Sequence, residues 1–388
     1  MTPNRLFSPR FFLMCGFSFT VFLSAFQLLP VAPYRILALG GSAAVAGLFL
    51  GFLTYASAAS APVTGGLADR VGPRRILIVA SLAIAGFSLV YAVLPAYQLM
   101  LGLVIVHGLF WSGLLSSSAT YVVSLVPPTR RAEGMGYWGL STVLAVSVAP
   151  TIGLWVYSHG GWFAMCVEAA LLNLLMATIA FLLPRDGSPA APDRALSMAT
   201  LLEWRVLILS FSLFLYSFGY GGLTSFVALY TDSLEVRPRA LYFTLFSVVI
   251  VGTRPFIGRF ADRVGYRRVF LPCVGLVVTG FVLLALGGSR PYLIVSAIVF
   301  GTGFGSAYPV FLAHVLKFVD ESRRGATFGS IIGAFDTGIG TGSIVMGWII
   351  EHYGYRPAWA TAAVLAGCSI PFFVIMERRL LRPALRVN

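Results

Sequence analysis

Long apolar runs of nearly constant length alternate along the chain with short polar connections. Crossing roughly 30 Å of hydrocarbon at about 1.5 Å per residue takes about 20 residues in a helix. Twelve runs of that size stand near 11–34, 42–67, 75–94, 98–124, 134–157, 162–183, 206–230, 240–260, 268–287, 291–316, 326–350 and 358–376. Gly and Pro fall inside many of them, which lipid tolerates because neighbouring helices satisfy the freed backbone groups. A spanning β-barrel would show strands of about ten residues with alternating polarity, and the sequence has none of that alternation. The pattern predicts an all-α membrane protein with twelve transmembrane helices.

Composition agrees. Of 388 residues, 58% are apolar and 11% charged, against about 25% charged in an ordinary soluble domain. Such a chain cannot cover a core with a polar skin. The net charge is +13, from 27 basic and 14 acidic residues. In a soluble protein that balance would point to nucleic acid; here apolar runs separate the basic residues, so the charge reads as topology. With the N-terminus cytoplasmic, 21 basic residues lie on that side and only Arg35, Arg237, Arg239, Arg290 and Arg356 on the other, leaving Arg254 inside a span. Both termini are therefore expected in the cytoplasm. The first run lacks a small-residue cleavage site and reads as a retained span, not a signal peptide. Cys15, Cys166, Cys273 and Cys368 are far apart within apolar runs and read as inert packing thiols.

The one long polar connection, 185–205, falls between spans six and seven, and its second part could lie as a short helix on the membrane surface. It separates a six-span half at 1–184 from another at 206–388. Residues 65–75, G-G-L-A-D-R-V-G-P-R-R, and 258–268, G-R-F-A-D-R-V-G-Y-R-R, agree at eight of eleven positions with an offset of 193. The same offset carries Arg130 and Arg131 onto Arg323 and Arg324, Gly108 onto Gly301, Gly136 onto Gly329, and His159 onto His352. One register over most of a half-chain indicates duplication. Six spans per half is an even number, so both halves enter from the same side, a parallel repeat.

The repeated stretch G-x-x-x-D-R-x-G-x-R-R, after spans two and eight, resembles the signature of the major facilitator superfamily. The resemblance covers essentially the whole chain and implies two pseudo-symmetric six-helix bundles, N-in and C-in, that form a secondary transporter. Gly65 and Gly258 permit close helix approach, and Asp69 and Asp262 can face a basic cluster or a helix N-terminus. Arg70, Arg74, Arg75, Arg263, Arg267 and Arg268 can anchor at anionic lipid headgroups, with Gly72 and Gly265 completing the motif. The resemblance further implies that Asp69 belongs to a latch between the halves that forms in the outward-facing state and breaks in the inward-facing one; plain topology anchoring is the alternative.

Ionisable groups inside spans are costly and stand out. Asp336 lies about eleven residues into span eleven, and its repeat partner is Val143, so it is no relic of duplication. A carboxyl group that hydrocarbon forces to be neutralised can take up and release a proton, as a proton-coupled carrier requires. The plainer alternative is a hydrogen bond to Thr337 or to a neighbouring helix. Arg254, in span eight, stays charged and needs a carboxylate, carbonyls or an anionic substrate; a snorkelling side chain is its alternative. The family's cavity-lining spans include eight and eleven, so the resemblance implies that Arg254 and Asp336 lie on cavity-forming helices, where they could form a breakable pair. In span four, Val104 and His107 stand where many relatives carry the Arg and Gln of Arg-x-x-Gln-Gly. His107 is thus a candidate proton relay or a plain hydrogen-bonded side chain; for His314 in span ten the second reading is preferred. Glu168 reads as interfacial or hydrogen-bonded, and His159 with His352 makes an unconvincing metal site.

Span five, from Gly136, resembles a glycine-rich antiporter signature, with Pro150 and Gly153 retained and Ala145, Ala149 and Leu154 replacing glycines. In relatives the full motif accompanies efflux. Span eleven carries Gly329 and Gly333, and span two Gly47 and Gly51, at four-residue spacing, so these two helices are expected to pack closely and slide. Gln27, Trp111, Tyr216, Tyr220 and Tyr308 could present stacking faces and polar groups to a small molecule.

The expected function is proton-coupled antiport, exporting a drug-, sugar- or metallophore-like molecule from a bacterial inner membrane. The alternatives are a proton symporter importing a metabolite and, further off, a transporter-like sensor. No cofactor, metal or nucleic acid is expected; the partners are substrate, protons and anionic lipid, the energy source is the proton gradient, and the protein is expected as a monomer. No H-E-x-x-H, G-x-S-x-G or nucleotide-binding loop occurs, so no enzyme is expected.

Overall fold

A computed structural model describes residues 7–127, 130–184, 204–319 and 324–380. The described residues are helical almost throughout: α1 Pro9–Ala38, α2 Ala43–Val71, α3 Pro73–Val93 and α4 Tyr97–Leu125 are followed by a continuous run, Arg131–Leu182. That run breaks at Gly161, where φ is 69°, into α5 (131–160) and α6 (162–182). There follow α7 Trp204–Ser233, α8 Leu241–Val264, α9 Tyr266–Leu286, α10 Arg290–Leu316, α11 Arg324–Tyr353 and α12 Tyr355–Leu380. Each helix corresponds to one apolar run of the sequence. The surface helix expected between the halves falls on 185–203, outside the described residues.

The duplication is written into the backbone. Gly72 and Gly265 precede α3 and α9 with φ 95°, ψ 133° and φ 101°, ψ 133°, a region where a Cβ is strained. Gly161 and Gly354, also 193 apart, make the turns into α6 and α12 with φ 69° and 85°.

The chain divides into two compact units. The first takes residues up to Arg35 and those from Tyr55 through α6; the second takes Ile36–Thr54 and everything from α7 onwards. In the first, Phe11, Met14 and Phe17 of α1 pack with Leu77 and Ile84 of α3, Leu114 of α4 and Met176 of α6. In the second, Phe281, Phe300 and Phe304 form a ladder with ring centroids 4.9 and 5.3 Å apart. Large apolar side chains such as Val79, Leu171, Val248 and Val364 point outward, a liability in water and a fitting skin in lipid.

The start of α2 belongs to the second unit because small residues let it approach α11. A Cβ on Gly47 or Gly51 would collide with Ser343 or Ile344, and the Ser343 hydroxyl donates to the Gly47 carbonyl at 2.9 Å. The expected pairing of spans two and eleven is present, but through different glycines of α11. Gly340 meets Thr54 and Gly347 meets Ala43, whereas Gly329 is exposed and a Cβ on Gly333 would meet open space.

Candidate functional site

Of the motif arginines, Arg70, Arg75, Arg263 and Arg268 are exposed, suited to lipid headgroups. Arg74 and Arg267 differ from the headgroup anchors expected, because each turns inward onto its own unit. Arg74 Nε donates to the Leu183 carbonyl and its Nη2 to that of Phe181, both at 2.7 Å, at the end of α6. Arg267 Nε lies 3.2 Å from Glu377 Oε2 near the end of α12. Asp262 accepts a hydrogen bond from the Tyr266 hydroxyl of the next helix, not from a basic cluster. Asp69 lies within α2, with its side chain outside the described residues, as are the surroundings of Gly258; a Cβ on Gly65 would meet open space.

Within its apolar core the first unit also buries a cluster of polar groups. Gln27 of α1 is fully buried and donates through Nε2 to Glu168 Oε1 of α6 at 3.1 Å. Gly153 of α5 makes room for this: its Cβ would stand 2.7 Å from the Gln27 carbonyl oxygen. Pro150 is buried one turn earlier. His107 is buried, with Nδ1 3.5 Å from the Tyr91 hydroxyl, at the edge of hydrogen-bonding distance. Asn173, which the sequence reading passed over, donates through Nδ2 to Ser24 Oγ at 2.9 Å and to the Ala169 carbonyl at 2.7 Å. Ser24, Ser88, His107, Trp111 and Asn173 line a small cavity with no room for an organic ligand.

The second unit places aromatic or small groups at the same repeat positions. Ser88, His107, Trp111, Glu168 and Asn173 correspond at the offset of 193 to Phe281, Phe300, Phe304, Thr361 and Ala366. This asymmetry was readable once the offset was known. Tyr220 stacks on Phe304 with centroids 4.1 Å apart, and the Tyr216 hydroxyl donates to the Phe304 carbonyl at 2.9 Å. Tyr308 meets Phe335 at 5.0 Å and lies within electrostatic reach of Asp336.

No ion pair joins Asp336 and Arg254 among the described residues. Thr337 Oγ1 donates to the Gly333 carbonyl at 2.6 Å, so its hydroxyl proton is not directed to Asp336. Arg254 has Tyr216 within electrostatic reach, and its buried Nε has no hydrogen-bond partner. The unit thus holds a carboxyl group beside aromatic rings and a guanidinium with an unspent donor. His159 and His352 each direct Nδ1 at the carbonyl of their own preceding turn, at 2.8 and 2.9 Å. The four cysteines are unpaired, and Cys368 is exposed.

Comparison with known proteins agrees with this organisation. The family model described as Major Facilitator Superfamily matches residues 12–243 and 209–386. The chain is 25% identical over 365 residues to YhhS of Escherichia coli (strain K12), described as an uncharacterized MFS-type transporter, covering 91% of this chain and 89% of that protein. Among solved structures, the nucleoside transporter NupG superposes with a TM-score of 0.74 at 18% identity, covering 96% of this chain and 100% of that one. An inward-facing bacterial homologue of the human lysosomal transporter Spinster gives 0.77 at 16% identity, with 98% of each chain covered. The duplicated loops, the helices paired through a fixed offset and these matches together place the chain in the major facilitator superfamily, as a multi-pass membrane protein and a secondary transporter.

Proposed function

We propose that the protein is a proton-coupled antiporter that exports a small organic molecule across the bacterial cytoplasmic membrane by alternating access. Asp336 is the proton site, with His107 as a candidate relay. Arg254 serves as the partner of Asp336 in another state or as the ligand of an anionic substrate group. Asp69 biases the protein between its two facing states. The observation that carries this reading is the carboxyl group of Asp336, held in a transmembrane helix beside Tyr308 without an ion pair among the described residues. An acid there is expensive unless its charge can be neutralised, and a proton does that reversibly.

The span-five resemblance points to export, and the tight contact of Gly153 with the Gln27 backbone supports the close packing that motif provides. The rings of Tyr220, Phe304 and Tyr308 favour a moderately hydrophobic substrate or one of mixed polarity. Asp336→Asn in proteoliposomes is expected to abolish proton-driven transport while leaving substrate exchange measurable; normal transport against a gradient would overturn the proton-site assignment. Uptake into right-side-out vesicles driven by an inward proton gradient would replace export with import. A ligand-stabilisation screen on the purified protein supplies the substrate.

A further inference from the structure

The proposed mechanism leaves one embedded acid unused. Glu168 of α6 has Thr361 as its repeat partner, so it was not carried along by the duplication. It faces Gln27, whose Nε2 donates to Glu168 Oε1 at 3.1 Å. The other two oxygens of these planar groups, Gln27 Oε1 and Glu168 Oε2, are both buried, and neither has a hydrogen-bond partner.

Among the described residues no cation forms an ion pair with the acid. Arg35, further along α1, directs Nη2 to the Leu94 carbonyl, and His107 of α4 faces Tyr91. From α5 the close neighbour of Gln27 is Gly153, and on α6 itself Cys166 is a buried thiol. None forms an ion pair with Glu168 among the described residues.

Written as a carboxylate, Glu168 leaves two orphaned acceptors and no donor to join them, and burying such groups without partners is costly. Exchanging the oxygen and nitrogen of the Gln27 carboxamide, a matter of assignment, adds no donor. A single proton removes both defects, because it turns one orphaned acceptor into an O–H donor.

We propose that Glu168 is a proton-binding site of the first unit, held as a neutral carboxylic acid that closes a two-bond ring with the Gln27 carboxamide. In the ring, Gln27 Nε2–H donates to Glu168 Oε1 and Glu168 Oε2–H donates to Gln27 Oε1. The terminal torsions of both side chains are broad, which leaves the two oxygens free to turn toward each other. The only bond made is O–H, with a proton drawn from water. The assignment does not depend on the direction of transport or on Asp336.

Infrared spectroscopy of the purified protein in lipid at neutral pH tests it. The difference between the parent and Glu168→Gln should contain a protonated-carboxyl C=O band that shifts in heavy water. Gln at 168 can donate to Gln27 Oε1, so Glu168→Gln should unfold near the parental temperature, and Glu168→Leu clearly lower. Should Glu168→Gln fail to fold, Gln27→Leu keeps the acid but removes its acceptor, and the band should move to higher frequency. A difference spectrum without that band, or a band unmoved in Gln27→Leu, would overturn the proposal.

Discussion

The His314 Nε2 lies 3.1 Å from Glu377 Oε1, at the repeat position where, in the first unit, the Tyr121 hydroxyl donates to the Pro184 carbonyl at 3.1 Å. Both contacts tie the end of the fourth helix of a unit to the end of its sixth. Each is completed by the loop arginine: Arg74 reaches the carbonyls of Leu183 and Phe181, and Arg267 reaches Glu377 Oε2. The Arg267 contact is an ion pair whose geometry falls short of a hydrogen bond. The duplication thus kept the joint and changed its chemistry, from backbone carbonyls to a buried carboxylate.

That difference predicts different rescue behaviour. Arg267→Leu leaves Glu377 buried with only His314, and removing one partner of a buried pair costs about 3–5 kcal/mol. The low end is expected, since the Arg267 side chain is 28% exposed. Adding Glu377→Gln removes the stranded charge and should restore most of the loss. Arg74→Leu should also destabilise, but no carboxylate substitution can rescue it, because its acceptors are carbonyls. Denaturant unfolding of the solubilised protein reads all three variants.

A second prediction separates the glycines of α11. A Cβ on Gly342 would run into the Phe218 carbonyl oxygen of α7, a backbone atom that cannot step aside. Gly342→Ala should therefore cost about 3 kcal/mol, the upper end for overpacking. A Cβ on Gly333 meets open space, so Gly333→Ala should gain up to about 1 kcal/mol from helix propensity. The check is the thermal midpoint of each variant; equal losses at both positions would contradict the packing.

The contrast shows what was legible in the sequence. The helices and the repeated loops at Gly72 and Gly265 follow from apolar run length and a fixed offset, and the pairing of spans two and eleven from glycines at four-residue spacing. The contacting glycines do not, because a helix that is apolar on every side gives no periodic sign of which face meets protein and which meets lipid. For the same reason Arg74 and Arg267 read like their exposed neighbours, although they point inward. Glu377 lies at the polar end of the last span, where a charge is ordinary, and nothing in the local sequence marks it as buried. Asp336 and Arg254 were legible as isolated charges, but whether they pair depends on helix rotation and on conformational state.

A third prediction concerns pH. Glu351, past the membrane-spanning part of α11, accepts a hydrogen bond from the Ala44 backbone N–H at 2.9 Å at the start of α2. Ser42 and this N–H hold its carboxyl below the ordinary glutamate value of 4.5. A depressed value in the folded state means stability that is present above the unfolded value and lost as pH falls through the folded one. The contact should thus be intact at neutral pH and weaken below about pH 4.5. Glu351→Ala should remove this increment of acid sensitivity, measured as the slope of the unfolding midpoint against pH between neutrality and about pH 3. An unchanged slope would mean that the carboxylate does not hold the helix start.

The fourth prediction concerns Arg254 and Asp336. They share no ion pair, and their electrostatic neighbours are different, Tyr216 for Arg254 and Tyr308 for Asp336. Independent sites add within about 0.5 kcal/mol, whereas residues in one network couple by about 0.5–3 kcal/mol. The stability effects of Arg254→Gln and Asp336→Asn should therefore add in a double-mutant cycle on the resting protein. Transport should behave differently if the two groups meet during the cycle: Arg254→Gln would then impair turnover in the parent but have little further effect in Asp336→Asn exchange. Coupling well above 0.5 kcal/mol in the resting protein would mean that the pair already forms there, and Arg254 would lose the unspent donor that makes it a candidate ligand for an anionic substrate.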